Sequence, residues 1–332
     1  MPTAFLTGCA TGFGRALARR LLATGWQVAA TDPDIEGLAA QLDPAGRERR
    51  LLLLPLDLRD DDSVREAVDR TLAWSPVDLL VNNGGYAVFG TQEEADLEAV
   101  RRLFDVNVLG AARVTRALLP TLRRRAGTIV QVSSVAGRMA FPESGFYAGT
   151  KYALEAMSEA LYAETCTFGI RVRLIEPGAF ATQFLDRARE ASLPRSPDSP
   201  YAHLHDLWDE RKVGVLEAPQ DPERVVDAIL ASLEDEAPFL RVPVGADAER
   251  ILALRDALPV DAWARLLGAR NGGPDAATAA GDVLSPGELL AGESDAASLT
   301  ATRAAWRQGH LDHWTTTEVG RRALSRLRGE GC

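Results

Sequence analysis

The segment Thr7-Gly8-Cys9-Ala10-Thr11-Gly12-Phe13-Gly14 closes the apolar run Thr3-Ala4-Phe5-Leu6-Thr7 and opens at once into a helical pattern. In that pattern, over Gly14 to Ala23, Ala16, Leu17, Leu21 and Leu22 recur at helical spacing. A strand, a glycine turn and a helix in this order decide the fold. Gly8 permits a tight turn, Gly12 lets the backbone approach a pyrophosphate, and Gly14 lets helix and strand pack closely. Phosphates then rest on free N–H groups at the helix N-terminus. The spacing is G-x-x-x-G-x-G, not the commoner G-x-G-x-x-G. Such a turn also occurs as plain structure; its place between the first strand and helix favours binding.

Outward from the turn, strand-like runs follow at Gln27 to Thr31, Leu51 to Leu56, Asp78 to Val81, Thr128 to Val132, Arg171 to Ile175 and Phe239 to Val242. Several are apolar on successive residues, as in a parallel sheet covered on both faces. Helical stretches separate them. Asp60-Asp61-Asp62-Ser63 offers capping side chains before Val64 to Leu72, and Glu66 follows Ser63 by three as in a capping box. Repeated β-α-β units predict an α/β fold, a doubly wound parallel sheet (Rossmann-like) with a C-terminal helical extension. The predicted boundaries are a catalytic domain over 1–270, an arm or linker over 271–302 and a helical tail over 303–332. Residues 271–302 carry no Lys, Arg or aromatic residue, whereas residues 303–328 carry six arginines, Trp306 and Trp314.

Composition narrows the function. Among 332 residues 46% are hydrophobic and 25% charged, which supports a full core and excludes dominant disorder. A net charge of -10 argues against sequence-independent nucleic-acid binding. No apolar run is longer than the four residues of Leu51 to Leu54, far too short to span a bilayer. The N-terminus lacks a signal-peptide pattern. Cys9, Cys166 and Cys332 are an odd, irregular set, so reduced thiols and a cytoplasmic location are expected.

Asp32 follows strand two, 18 residues after Gly14. A carboxylate there accepts hydrogen bonds from both adenosine ribose hydroxyls and repels a 2′-phosphate. Neither Thr11 nor Pro33 supplies a positive charge. NAD is therefore the expected cofactor; a solvated turn aspartate is the alternative.

Further motifs stand in order: Asp57 after strand three; Asn82-Asn83-Gly84-Gly85 after strand four; Asn107; Ser133-Ser134; Tyr147-Ala148-Gly149-Thr150-Lys151; and Pro177-Gly178 with Thr182. Together with Thr7 to Gly14 they resemble the short-chain dehydrogenase/reductase family. Phe146 through Phe184 is most similar to its hydroxysteroid- and retinol-dehydrogenase branch. The sequence has Asn-Asn-Gly-Gly where the family usually has Asn-Asn-Ala-Gly. The resemblance runs over residues 1 to about 270. It implies a cofactor cleft of Thr7, Gly8, Thr11, Gly12, Phe13, Gly14, Asp32, Asp57, Leu58, Asn83, Gly84, Gly85, Tyr147, Lys151, Pro177, Gly178, Phe180 and Thr182. Asp57 is implied to meet the adenine and Thr182 the nicotinamide carboxamide. It also implies a variable substrate loop over about 184–218, and a homodimer or homotetramer paired through helices at about 97–124 and 146–167.

The chemistry implied is hydride transfer between a nicotinamide and a carbinol carbon, which leaves an O–H proton to be moved. Tyr147 and Lys151 are four apart on a helical pattern and share a face. Lowering a tyrosine from about 10 to near 7 needs roughly 4 kcal/mol of preference for phenolate. An ammonium at about 4 Å supplies about 4 kcal/mol at an effective dielectric of 20. Ser134 can hold the substrate oxygen. By resemblance, Asn107 holds a water joining Lys151 to solvent. Taken singly, Tyr-x-x-x-Lys also suits a snorkelling lysine, and Ser-Ser a helix cap.

Tyr86, Phe89, Phe141, Phe180, Phe184 and Leu185 are the pocket candidates, with Ser134; they favour a hydrophobic or ring-containing small molecule. His203 and His205 are expected in the solvated substrate loop. His310 and His313 lack further ligands, so no metal is expected. Cys9 is expected to be a small packing residue. The sequence thus points to an NAD-dependent oxidoreductase of secondary alcohols and ketones. An NADPH-dependent carbonyl reductase and a non-catalytic NAD-binding module are the alternatives. Neither membrane nor nucleic acid is an expected partner.

Overall fold

The computed structural model describes residues 1–42, 49–180, 182–184, 188, 192, 196, 198–206, 220–258, 263–264 and 267–268. The arm over 271–302, the tail over 303–332, Leu185 and most of the predicted substrate loop lie outside the described residues.

Seven strands form one parallel sheet: β1 (Thr3–Thr7), β2 (Gln27–Asp32), β3 (Leu51–Pro55), β4 (Leu79–Asn82), β5 (Thr128–Val132), β6 (Arg171–Pro177) and β7 (Phe239–Val244). Their order is β3-β2-β1-β4-β5-β6-β7, with every pairing parallel. This is the doubly wound α/β fold that the repeated units predict. The order reverses between β1 and β4, and a ligand crevice opens there at the carboxyl ends of the strands. The glycine turn leaves β1 and the Asn82–Gly85 loop leaves β4 at that crevice.

Successive side chains of a strand point to opposite faces, and both faces are dry. Leu6, Val28, Val81, Val130 and Ile175 pack with Leu17 and Leu21 of α1 (Gly12–Ala23) and Leu38 of α2 (Ile35–Leu42). Phe5, Leu54, Leu80, Ile129 and Val172 pack on the other face with Val64 and Val68 of α3 (Asp61–Trp74). Burying each such side chain stabilises the fold by roughly 1.5–3 kcal/mol.

The cap of α3 departs from the expected capping box. Asp60 is the N-cap, and its side chain accepts from the N–H groups of Asp62 and Ser63. Ser63 lies inside the helix, and its hydroxyl accepts from the Asp57 N–H at 3.0 Å. An aspartate one turn earlier outcompetes the serine because its charge suits the helix N-terminus.

The helix predicted over 97–124 is broken by a wider turn. α4 (Leu97–Phe104) runs into a π-helical turn at Asp105–Gly110, followed by α5 (Ala111–Arg125). α6 (Gly145–Thr165) follows β5. α7 (Glu223–Glu234) precedes β7.

The chain divides into two units, Met1–Glu249 and Arg250–Cys332. The first holds the whole sheet; α8 (Ala246–Ala257) spans the boundary. Among the described residues, no helix is long and apolar enough to cross a membrane, and no group of three His, Cys, Asp or Glu side chains could hold a metal ion.

Candidate active site

The glycine turn needs its glycines for steric reasons. Gly8 and Gly12 have φ of +71° and +55°, in the left-handed region that side chains disfavour. Gly14 has no such φ, but a Cβ there would meet the Gly8 carbonyl oxygen at 2.2 Å. Thr11 is the N-cap of α1, yet its side chain makes no capping bond, and the first turn holds no acidic residue. Among the described residues no side chain caps the N–H groups at this helix start, which suits an anion site. A Cβ on Gly12 would meet nothing within 4 Å, so the turn is open on that side. These residues fit a bound pyrophosphate.

Asp32 is buried at the end of β2. Its Oδ2 accepts from the Ala10 N–H at 3.0 Å, and its Oδ1 accepts from the Asp34 N–H at 3.1 Å. It therefore braces the glycine turn, and each oxygen keeps further acceptor capacity. Cys9 is fully buried, and burial pushes its thiol up to about 12, an inert packing residue.

The β4 loop is stitched to this turn. Asn83 Nδ2 donates to the carbonyls of Thr7 and Gly8, each at 2.9 Å. Thr7 Oγ1 accepts from the N–H groups of Asn83 and Gly84, at 3.0 and 2.8 Å. Both side chains hold the walls of the crevice together. A Cβ on Gly84 would meet Leu58 Cδ1 at 2.9 Å, so glycine in place of the family's usual alanine makes room for Leu58. Asp57 pairs with Arg59 at 2.7 Å, and the hydrogen bond from that guanidinium holds its carboxyl below the usual carboxylate range. Arg59 at this position is a neighbour that strand patterning does not reveal.

Asn107 sits in the π-helical turn. Its Oδ1 accepts from the Tyr86 N–H at 3.1 Å, and its Nδ2 donates to the Tyr86 carbonyl at 2.8 Å and to Thr150 Oγ1 at 3.1 Å. The carboxamide clamps the β4 loop to α6, one turn from Tyr147. A π turn at such a residue is the usual mark of a functional position.

Ser134, Tyr147 and Lys151 come together at the carboxyl end of β5. Ser134 Oγ accepts from the Ala136 N–H at 3.1 Å, so it is a cap, and it also hydrogen-bonds the Tyr147 side chain. Lys151 Nζ donates to the Val132 carbonyl at 2.8 Å and lies 5.9 Å from the Tyr147 ring centroid. Burial pushes Tyr147 up to about 12, against the lowering by Ser134. Burial pulls Lys151 down to about 8, against the charge of Glu155. Desolvation is thus the largest influence on both groups. The sequence arithmetic omitted it because burial is not written in spacing.

An apolar wall surrounds Tyr147. The rings of Phe184 and Phe89 stand 5.7 and 6.2 Å from it, centroid to centroid, and Tyr86 packs in the same cluster. Phe180 departs from the expected pocket. It packs edge-on against Phe13 at 5.6 Å, on the α1 side, and is buried there. Phe141 belongs to the turn before α6, where its N–H donates to Ser144 Oγ at 3.1 Å. Thr182 Oγ1 accepts from the Phe184 N–H at 3.3 Å. The Pro177-Gly178 loop is anchored by a residue that sequence reading missed: Asp247 Oδ2 accepts from the Ala179 N–H at 2.7 Å, and Oδ1 accepts from Gln220 Nε2 at 2.7 Å.

His205 departs from the solvated loop position expected of it. It is buried, with Nδ1 against Glu143 Oε1 and Nε2 3.4 Å from Glu94 Oε2. Ser199 Oγ bonds Glu94, and Tyr201 donates to Glu93 at 2.7 Å. Segment 198–206 is thereby fastened beside the turn that leads into the Tyr147 helix.

A Rossmann-like sheet whose crevice holds a glycine turn and a buried Ser-Tyr-Lys set defines a class of nucleotide-dependent oxidoreductases. Residues 2–193 match the sequence model for short chain dehydrogenases. The chain belongs to the short-chain dehydrogenase/reductase family. It is 36% identical over 250 residues to estradiol 17-beta-dehydrogenase 1 of Rattus norvegicus, covering 71% of each chain. It is 33% identical over 245 residues to retinol dehydrogenase 8 of Bos taurus, covering 69% of this chain and 78% of that one. A short-chain dehydrogenase structure from Streptomyces avermitilis aligns with TM-score 0.67 and 35% identity, over 76% of this chain and 90% of that one. Structures from Burkholderia phymatum with NAD and Burkholderia cenocepacia with NADP align at TM-scores of 0.66 and 0.63, with 25% and 28% identity. They cover 77% and 82% of this chain, and 92% and 98% of theirs.

Proposed function

We propose that the protein is an NAD-dependent dehydrogenase interconverting a secondary alcohol and a ketone on a hydrophobic or ring-containing small molecule. The observation that carries this reading is the Tyr147 hydroxyl, hydrogen-bonded to Ser134 and walled by Phe89 and Phe184, one helical turn from Lys151. The relatives named for estradiol and retinol both take ring-containing apolar molecules in their names, which supports the substrate class.

Bound nicotinamide supplies the hydride acceptor or donor. This chain supplies the rest. The N–H groups of the Gly8–Gly14 turn bind the phosphates. Asp32 accepts from the ribose hydroxyls, and no basic residue at Thr11 or Pro33 is present to receive a 2′-phosphate. Ser134 orients the substrate oxygen, Tyr147 takes or gives its proton, and the Lys151 ammonium favours phenolate. Asn107 fixes α6 against the β4 loop and so keeps Tyr147 in register. The phenylalanines exclude water from the reacting carbon. The reading includes a cytoplasmic homodimer or homotetramer.

The test is a panel of steroid, retinoid and simple secondary alcohols assayed with NAD and with NADP by cofactor absorbance. Turnover with NAD on apolar ring alcohols is expected. Turnover confined to NADPH and carbonyl substrates would establish the carbonyl-reductase alternative instead.

A further inference from the structure

The ladder along α6 continues past the residues already placed. Tyr147, Lys151, Glu155 and Glu159 recur every four residues and share one helix face. Glu155 is 5% exposed, and Glu176 on β6 is 0% exposed. One guanidinium holds both. Arg241 Nε of β7 donates to Glu155 Oε2 at 2.9 Å and lies 3.6 Å from Glu176 Oε1. Its other arm pairs with Glu159 at the solvent edge. Arg138, beside the turn after β5, reaches Glu176 Oε1 at 3.4 Å. Lys151 completes the charged neighbours.

Each carboxyl keeps one buried oxygen, Glu155 Oε1 and Glu176 Oε2, with no hydrogen-bond partner among the described residues. An ionised carboxylate only accepts, whereas a protonated one also donates. Two buried acids meet on Arg241, with Arg138 also reaching Glu176, and the unbonded oxygen that each keeps is an acceptor without a donor. A single proton on the pair removes one desolvated charge and turns one orphan acceptor into a donor.

We infer that Glu155 and Glu176 share one proton at neutral pH, and that Glu155 is a positioning residue holding Lys151 as its ammonium. The second half rests on the reading of Tyr147 and Lys151 as the catalytic pair. The titration directions agree. Burial, and then the charge of Glu155, lift Glu176 to about 7, which puts the proton of the pair on Glu176. Burial lowers Lys151 to about 8 while the Glu155 charge opposes that fall.

The chain has two lysines, Lys151 and Lys212, so nitrogen-15 lysine NMR of the full-length protein follows Lys151 directly. Glu155→Gln is expected to lower the Lys151 midpoint by about one pH unit, and Glu155→Asp to restore part of it. Glu176→Gln keeps the Glu155 side chain in place, so its Lys151 midpoint is expected at or above the native value. In carboxyl-labelled native protein, infrared spectra are expected to show a buried protonated glutamate that titrates near pH 7 and is missing from Glu176→Gln. No titrating buried carboxyl overturns the shared proton. An unmoved Lys151 midpoint in folded Glu155→Gln, or a fall in Glu176→Gln, overturns the positioning role. None of these readouts needs a substrate. Failure of every alcohol assay with these shifts intact would remove the catalytic reading and leave the proton pair standing.

Discussion

Gly14 approaches Gly8 so closely that a Cβ on it would stand 2.2 Å from the Gly8 carbonyl oxygen and 2.6 Å from Asn83 Nδ2. Neither neighbour is free to yield. The first is backbone, and the second bonds two carbonyls. Gly14→Ala is therefore expected to cost about 1–3 kcal/mol of stability and to weaken NAD binding at least about tenfold, or 1.4 kcal/mol. Thermal unfolding and titration calorimetry measure the two effects. Native NAD affinity in this variant would separate the turn from phosphate binding.

Tyr147→Phe removes a hydroxyl and keeps the ring between Phe89 and Phe184. NAD is expected to bind as before, while turnover falls at least about 10²-fold, the lower range for a positioned acid or base. Alcohol oxidation is expected to rise with pH as the phenol ionises. Burial, offset in part by Ser134, holds that midpoint near 12, so a midpoint below the free value of about 10 in the presence of NAD measures what Lys151 and the bound cofactor add. Unchanged turnover in the Phe variant on a true substrate would sink the mechanism.

Asp32 has two tasks, and its replacement separates them. NAD is expected to bind at least about tenfold tighter than NADP, roughly 1.4 kcal/mol. Asp32→Ala should narrow that gap and also lower the melting temperature, because the N–H groups of Ala10 and Asp34 lose their acceptor. Asp32→Asn keeps an acceptor and is expected to recover stability more than selectivity. Equal NAD and NADP affinities in the native protein count against the assignment.

Stability against pH has a sign fixed by Glu176. Its pKa in the folded protein is about 7, above the ordinary carboxyl value of 4.5, so the native state binds more protons than the unfolded chain between those values. That contribution is fully present below the unfolded pKa and is lost as pH rises through about 7. Denaturant unfolding at a series of pH values is expected to show a steeper loss across this window in the native protein than in Glu176→Gln. A parallel pair of curves would contradict it.

His205→Ala removes the imidazole that ties segment 198–206 to Glu143 and loosens its hold on Glu94. Removing the imidazole takes a hydrogen bond from the buried Glu143 carboxyl, at a cost of about 1–3 kcal/mol. The expected kinetic result is a raised KM with a smaller change in kcat, since the bonds of His205 to Glu143 and Glu94 fasten segment 198–206. A loss confined to kcat would instead place His205 in the chemistry.

What could be read without the structure was whatever lies within one turn or one helix. The Gly8–Gly14 turn, Asp32 and Tyr147–Lys151 are local, and their spacing carries their geometry. Asp247 is 68 residues from Ala179, and Glu143 is 62 residues from His205. No local pattern announces such partners. Glu155 reads as an ordinary helix-surface residue, and only the packing of β6 and β7 against α6 reveals it as buried. Phe180 is expected in both the cofactor cleft and the apolar pocket, and its ring meets Phe13 of α1, a pairing that the spacing of the two residues does not announce.

The π turn at Asp105–Gly110 places one extra residue in a single helical turn. Each residue of a regular helix advances the face by about 100°. Deleting one residue there would straighten the rod and rotate everything beyond it by that angle. Either Val114, Leu118 and Leu122 would swing off the sheet, or Asn107 would swing away from Tyr86 and Thr150. The bulge is a phase shifter: it lets one continuous rod serve two surfaces whose angular demands no uniform helix could meet together.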